Sequence, residues 1–287
     1  MKREIDISII SDVHLGTYGC HSIELLNYLK NIKVRTLILN GDFIDMWQFK
    51  KKYFPSEHIQ VIRQILKMSN EGTKIYYITG NHDDVLRRYS DFSAGQIHLR
   101  DKLVLQIKGK KYWIFHGDIF DLSIQYSRFI AKLGGKSYDL LILINRFINH
   151  FRVRFGKPQM SFAAKIKEKV KKAVKFIHDF ENTAIKHAFV QDYDYVICGH
   201  IHKPQIRTIK HKHKSITYMN SGDWVENLTA LEYQWGKWTI YTYDELDFEM
   251  TSPRLRVKDL LKEDFEKDLL KEILKDSKET DWERSDA

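Results

Sequence analysis

Short apolar runs that close on small polar clusters recur along the first third of the chain. Ile5 to Ile10 is apolar and ends in Ser11-Asp12, the pattern of a buried strand opening into a polar loop. Ser22 to Leu29 has helical spacing, and Thr36 to Leu39 predicts a second buried strand, closed by Asn40-Gly41-Asp42. His58 to Met68 predicts an amphipathic helix with Ile59, Ile62, Ile65 and Leu66 on one side. Lys74 to Ile78 predicts a third strand, ending in Thr79-Gly80-Asn81. Strands that alternate with helices argue for a sheet with parallel neighbours and helices packed outside it. In such sheets ligands gather in the loops beyond the strand ends, which is where these polar residues fall.

The pattern then changes. Leu103 to Ile107 and Tyr112 to Phe115, joined by Lys108-Gly109-Lys110-Lys111, predict a β-hairpin. Tyr195 to Cys198, Gln205 to Ile209, Ser215 to Met219, Thr229 to Gln234 and Trp238 to Tyr243 predict a second strand-rich half. The fold class expected is α/β: two stacked mixed β-sheets flanked by helices, within a domain over residues 1–250. Residues 122–190 are helical in character, broken at Gly134-Gly135 and Gly156-Lys157-Pro158, and form an insertion placed to act as a lid. Residues 251–287 predict a charged C-terminal helix, Leu260 to Leu274, and a polar tail.

Charge narrows the partners. Lys and Arg outnumber Asp and Glu by 47 to 38, a formal charge of +9 that favours anionic partners. The two cysteines, Cys20 and Cys198, form no CxxC pair, so a disulfide framework is not expected and a reducing cytoplasm is the simplest home. The N-terminus enters a strand with no signal-peptide core, and the most apolar stretch, Tyr138 to Ile148, is too short to span a bilayer. Peripheral contact with an anionic membrane face is compatible with both features.

Five polar signatures occur in order, each just after an expected strand. They are Asp12-Val13-His14, Gly41-Asp42, Gly80-Asn81-His82-Asp83, His116-Gly117-Asp118 and Gly199-His200-Ile201-His202. Any one alone is an ordinary turn. Together they supply carboxylate and amide oxygens and imidazole nitrogens, the donors that divalent cations take, on supports that hold geometry. Core packing gives no reason to place so many polar groups at strand ends.

This set resembles the calcineurin-like metallophosphoesterase superfamily over residues 4 to 243. The resemblance implies two divalent metal ions, one held by Asp12, His14, Asp42 and His202, the other by Asp42, Asn81, His116 and His200, with Asp42 shared. It places His82 beside the metals as the catalytic donor to the leaving oxygen. Two adjacent cations acidify a shared water and neutralise phosphoryl oxygens. Asp45 and Asp83 are suited to orient the ligand histidines.

A narrower resemblance is to the UDP-2,3-diacylglucosamine pyrophosphatase branch. It is carried by Ser11 to Gly16 with Gly19-Cys20, Gly41-Asp42-Phe43-Ile44-Asp45-Met46-Trp47, Lys169 to Val174 and Gly222-Asp223-Trp224-Val225-Glu226. That branch implies hydrolysis of a lipid A precursor to UMP and a diacylated sugar phosphate, commonly with manganese, though iron and zinc suit the same donors. Its studied members carry arginine where this chain has His82.

The insertion supports a phosphorylated lipid as substrate on its own terms. Leu140 to Ile144 is apolar on every side, Phe147, Ile148, Phe151, Val153 and Phe155 follow, and a lysine-rich stretch lies close behind. Asp121, Lys169, Lys171 and Trp47 are the expected substrate contacts. Two other readings use the same residues: a phosphodiesterase or nuclease on this metal core, and a non-catalytic scaffold. The chain lacks the interleaved basic and aromatic stripe that stacks bases, so no stable nucleic-acid partner is expected. Every ligand position holds a competent residue, which a scaffold would not need.

Overall fold

The computed structural model describes residues 2–47, 53–120, 162–211 and 214–245, with side chains from residue 173 onward in the segment that begins at 162. Residues 121–161 and 246–287 lie outside the described residues, so the expected apolar insertion core and the C-terminal helix do too.

The strands are β1 (Arg3–Ile10), β2 (Ile32–Asn40), β3 (Lys74–Ile78), β4 (Ser93–Ala94), β5 (Ile97–Arg100), β6 (Lys102–Ile107), β7 (Lys110–Phe115), β8 (Tyr195–Cys198), β9 (Gln205–His211), β10 (Lys214–Asn220), β11 (Thr229–Gln234) and β12 (Lys237–Thr242). Among the described residues three α-helices accompany them: α1 (Ser22–Asn31), α2 (Ser56–Asn70) and α3 (Phe162–Val190). The strands form a seven-stranded sheet, β12-β11-β1-β2-β3-β5-β4, and a five-stranded sheet, β6-β7-β8-β10-β9. Both are mixed: β1, β2, β3 and β5 run parallel, as do β7, β8 and β10, while the remaining pairs are antiparallel.

Alternation along each strand sorts the core into three interfaces. On β7, Tyr112 and Ile114 point between the sheets, where they meet Ile7, Ile9, Ile38, Ile78, Ile197 and Met219. Their neighbours Trp113 and Phe115 face the other way and pack with Val196, Cys198 and Tyr218 against Phe180, Ala184, Ile185 and Ala188 of α3. On the outer face of the larger sheet, Ile5, Ile10, Leu37 and Leu39 pack against Leu25, Leu29, Val61, Ile65 and Met68 of α1 and α2. The result is the expected α/β class, a four-layer arrangement with helices outside two stacked sheets.

One expected face differs. On α2 the chain buries His58, Val61, Gln64, Ile65 and Met68, whereas Ile59 and Leu66 are exposed. The buried polar groups have partners: Gly16 N–H donates to His58 Nδ1 at 2.9 Å, and Gln64 donates to the Leu29 carbonyl. Satisfied polar groups can occupy a core face that hydrophobic periodicity alone assigns elsewhere. The short strands β5 and β4, the latter at the sheet edge, were not expected. The cysteines are both free, as expected.

Candidate active site

All five polar signatures fall at the same end of the two sheets. Asp12, Asp42 and Asn81 follow β1, β2 and β3 of the larger sheet; His116 and His200 with His202 follow β7 and β8 of the smaller. The chain turns hard to place them. Asp12, His14, Asp42, His200 and His202 all have left-handed backbone, with φ of 53°, 54°, 51°, 67° and 51°. Non-glycine residues held there cost of order 1 kcal/mol or more each and cluster at functional sites. Two glycines make room: a side chain at Gly41 would overlap the His116 ring, and one at Gly80 would overlap the Asp42 carboxylate.

Among the described residues the donor atoms converge in three groups, Asp12 with His14 and His202, Asp42 with His116 and His200, and His14 with Asp45 and His82. Asp42 Oδ2 lies between the first two, 3.2 Å from His116 Nε2 and 4.0 Å from His14 Nε2. Its other oxygen accepts the His82 backbone N–H at 2.8 Å. Asp12 divides its oxygens in the same way: Oδ2 accepts the His200 N–H at 2.9 Å, and Oδ1 lies 3.2 Å from His202 Nε2.

The imidazoles are held by their far nitrogens. His116 Nδ1 lies 2.9 Å from the Asn40 carbonyl, which can only accept, so Nδ1 carries a proton and Nε2 faces the pocket. His202 Nδ1 lies 3.0 Å from Asp223 Oδ2, which leaves its Nε2 facing Asp12. Asp45 Oδ2 stands 2.9 Å from His82 Nδ1 and 3.5 Å from His14 Nδ1 and so touches both rings. Asp83 is placed differently: it accepts from Gly80 N, Phe43 N and the Tyr77 hydroxyl, and so fixes the backbone around Asp42 and Asn81.

The pocket is short of positive charge. Burial alone would raise the carboxyl of Asp42, yet His116, His14 and His82 hold it well below the usual carboxylate range. Burial would likewise lower the His116 imidazole, but Asp42 and Asp12 carry it up to about 10. Buried charges need compensation, which protons on the imidazoles or bound cations can supply. The amide Oδ1 of Asn81 is buried with no hydrogen-bond partner. A buried acceptor left bare costs about 1–3 kcal/mol unless something outside the protein uses it. Carboxylate, amide and imidazole donors around a negative pocket fit divalent ions.

The His82 ring packs edge-on against His14 at 4.5 Å and under the Trp47 indole at 4.1 Å, with Nε2 4.0 Å from Asp42 Oδ2. Trp47 therefore touches the ring expected to be catalytic. Lys169 and Lys171 lie on α3, their side chains outside the described ones, and Asp121 lies outside the described residues. Sequence reasoning gave no role to the Asn40 carbonyl, and cited Asp223 only as part of a family motif. The dipeptide Gly222-Asp223, which repeats Gly41-Asp42 in sequence, is the signal that could have found it.

The chain belongs to the calcineurin-like phosphoesterase family, whose profile matches residues 5–204. It is a metal-dependent phosphohydrolase. Among curated relatives, the UDP-2,3-diacylglucosamine hydrolase of Aliivibrio fischeri (strain MJ11) is 28% identical over 232 residues, covering 79% of this chain and 94% of that protein. The protein of the same name from Histophilus somni (strain 129Pt) is 28% identical over 78% of this chain and 94% of its own. That from Stenotrophomonas maltophilia (strain K279a) is 24% identical over 81% and 96%. A solved archaeal phosphodiesterase aligns at 14% identity and a TM-score of 0.39, covering 82% of this chain and 98% of that one, an overlap too slight to bear on function.

Proposed function

We propose that this enzyme hydrolyses the pyrophosphate of UDP-2,3-diacylglucosamine or a close lipid-nucleotide analogue, releasing UMP and a diacylated sugar phosphate for lipid A synthesis, with manganese as the working metal. The observation that carries this reading is the run of relatives sharing that name across about four fifths of the chain. The basic charge of +9 suits both the substrate's phosphates and an anionic membrane face on which the enzyme would rest. Among the described residues no helix is long and apolar enough to cross a membrane.

In this reading Asp12, His14, Asp42 and His202 hold one ion, and Asp42, Asn81, His116 and His200 hold the other. Bound there, the pair supplies an acidified water and neutralises the phosphoryl oxygens. The chain's own groups set up the rest. The Asn40 carbonyl and Asp223 fix which nitrogen of His116 and of His202 faces inward. Asp45 keeps a proton on His82 Nδ1, so in the imidazolium form Nε2 donates to the leaving oxygen. Asp45 also supports that charge: burial works against its ionisation, but His14 and His82 hold it well below the usual range. The insertion, with Lys169, Lys171 and Asp121, would cover the substrate's phosphates and shelter its acyl chains.

The test is a manganese-dependent assay for UMP release from UDP-2,3-diacylglucosamine, alongside bis-p-nitrophenyl phosphate and single-stranded DNA. UMP release is expected; hydrolysis of only the model ester or of DNA would refute the lipid substrate. His82→Ala should keep its metal content and lose turnover about 10²- to 10⁴-fold. Unchanged turnover in that variant would remove His82 from the reaction.

A further inference from the structure

Arg87 lies on the 3₁₀ turn Asp84–Tyr89, which follows directly from Asn81-His82-Asp83. Its guanidinium makes contacts at three places: just past the end of one strand in each sheet, and at the residue where the chain passes from one sheet to the other. Nη2 donates to Asp118 Oδ2 at 2.7 Å, two residues beyond His116 and the end of β7. Nε lies 2.7 Å from Asp101 Oδ1, on the single residue between β5 of the larger sheet and β6 of the smaller. The same Nε reaches Thr79 Oγ1 at 3.4 Å, at the end of β3 and two residues before Asn81. Thr79 closes the set by donating to Asp101 at 3.1 Å.

Asn81 and His116 stand on different sheets and must be set to the tolerance that ligand atoms require; Asn40 ties the end of β2 to Phe115 and His116, which leaves the loop after β3 to be set against them. A planar guanidinium gripping both loops does so, because its donors are fixed relative to each other. The Asp118 side chain is only 10% exposed, so this end of the grip is little screened by water.

We infer that Arg87 is a positioning residue that holds Asn81 and His116 in register across the seam between the sheets, and so builds the pocket for one of the two ions. This rests on the dinuclear reading of the site. It assigns Arg87 no contact with substrate.

Equilibrium dialysis of Mn²⁺ against the metal-free full chain tests it, with melting temperatures of the same metal-free proteins measured in parallel. The wild type is expected to bind two equivalents. Arg87→Ala should keep one at wild-type affinity and bind the other about tenfold or more weakly, the range seen when ligand-supporting contacts are lost. Arg87→Lys, which keeps charge and bulk but cannot span Asp101 and Asp118 together, should weaken the same ion. Wild-type affinity for both ions in either variant would overturn the inference, as would equal loosening of both ions in step with a lower melting temperature. Fewer than two equivalents in the wild type would overturn the dinuclear reading and this inference with it.

Discussion

Asp223 accepts the backbone N–H groups of Val225, Glu226 and Asn227 on Oδ1 and presents Oδ2 3.0 Å from His202 Nδ1. Burial alone would raise its carboxyl, but His202 and those N–H groups hold it well below the usual range, so it stays an acceptor. Removing it frees the ring and leaves three N–H groups unanswered. Asp223→Ala should therefore bind metal about 10- to 100-fold more weakly, read by dialysis, while Asp223→Asn loses less because its amide oxygen can still accept. An Ala variant with native affinity would show that His202 needs no support from behind. The five polar signatures were legible from residue type and their place after strands, and the family resemblance picked seven candidate ligands among them. Behind them Asp45 was legible and Asp223 was not, since Asp223 reaches His202 only because β10 returns parallel beside β8 and delivers the next loop to the same end. Asp83 shows the converse. Its sequence position suggested a histidine partner, yet the Gly80 N–H of its own turn donates to one oxygen, and the Phe43 N–H and Tyr77 hydroxyl donate to the other.

Helix α2 shows what a helical period conveys and what it omits. The period located the element, but the buried face is turned toward His58 and Gln64, two polar residues that pattern reasoning places in water. His58 is 2% exposed and holds the loop after His14 by accepting the Gly16 N–H. Burial lowers its pKa below 6.5, since a charged ring would be desolvated and would lose that bond. A depressed folded pKa means the contribution is complete above the unfolded value and is lost as pH falls through the folded one. Stability should thus decline as pH drops below about 6.5, measured by urea unfolding of the metal-free protein. His58→Asn, whose amide oxygen can accept from Gly16 without titrating, should show a shallower decline over the same window. Parallel curves for the two proteins would mean that His58 does not titrate on unfolding. The short strands β4 and β5 escaped detection for a different reason: Ser93–Ala94 is only two residues long, and β5 is half-buried throughout, too little for alternation to show.

For the whole molecule, the proposed ligands divide between the sheets, with Asp12, His14, Asp42 and Asn81 on one and His116, His200 and His202 on the other. The interface between the sheets is apolar along most of its length, with Ile9, Ile38, Ile78, Ile114, Ile197 and Met219 packed face to face. At its open end that packing gives way to buried carboxylates and strained backbone, an arrangement that destabilises the seam where the two halves part. Pairing of distant strands such as β1 with β11 fixes this geometry, and it is a long-range fact that local patterns carry only as a count of strands. Cations seated between the sheets would cross-link them, so binding free energy becomes folding free energy. At a hundredfold excess over its dissociation constant, each ion adds about 2.7 kcal/mol. For a unit of this size that corresponds to a rise of about 5–10 °C in melting temperature. Manganese should therefore raise the melting temperature of the stripped protein and EDTA should reverse the gain. In Asp42→Ala, which lacks the carboxylate shared by both pockets, the same titration should move the transition little. A full shift in that variant would mean the ions bind elsewhere and the seam is closed by packing alone.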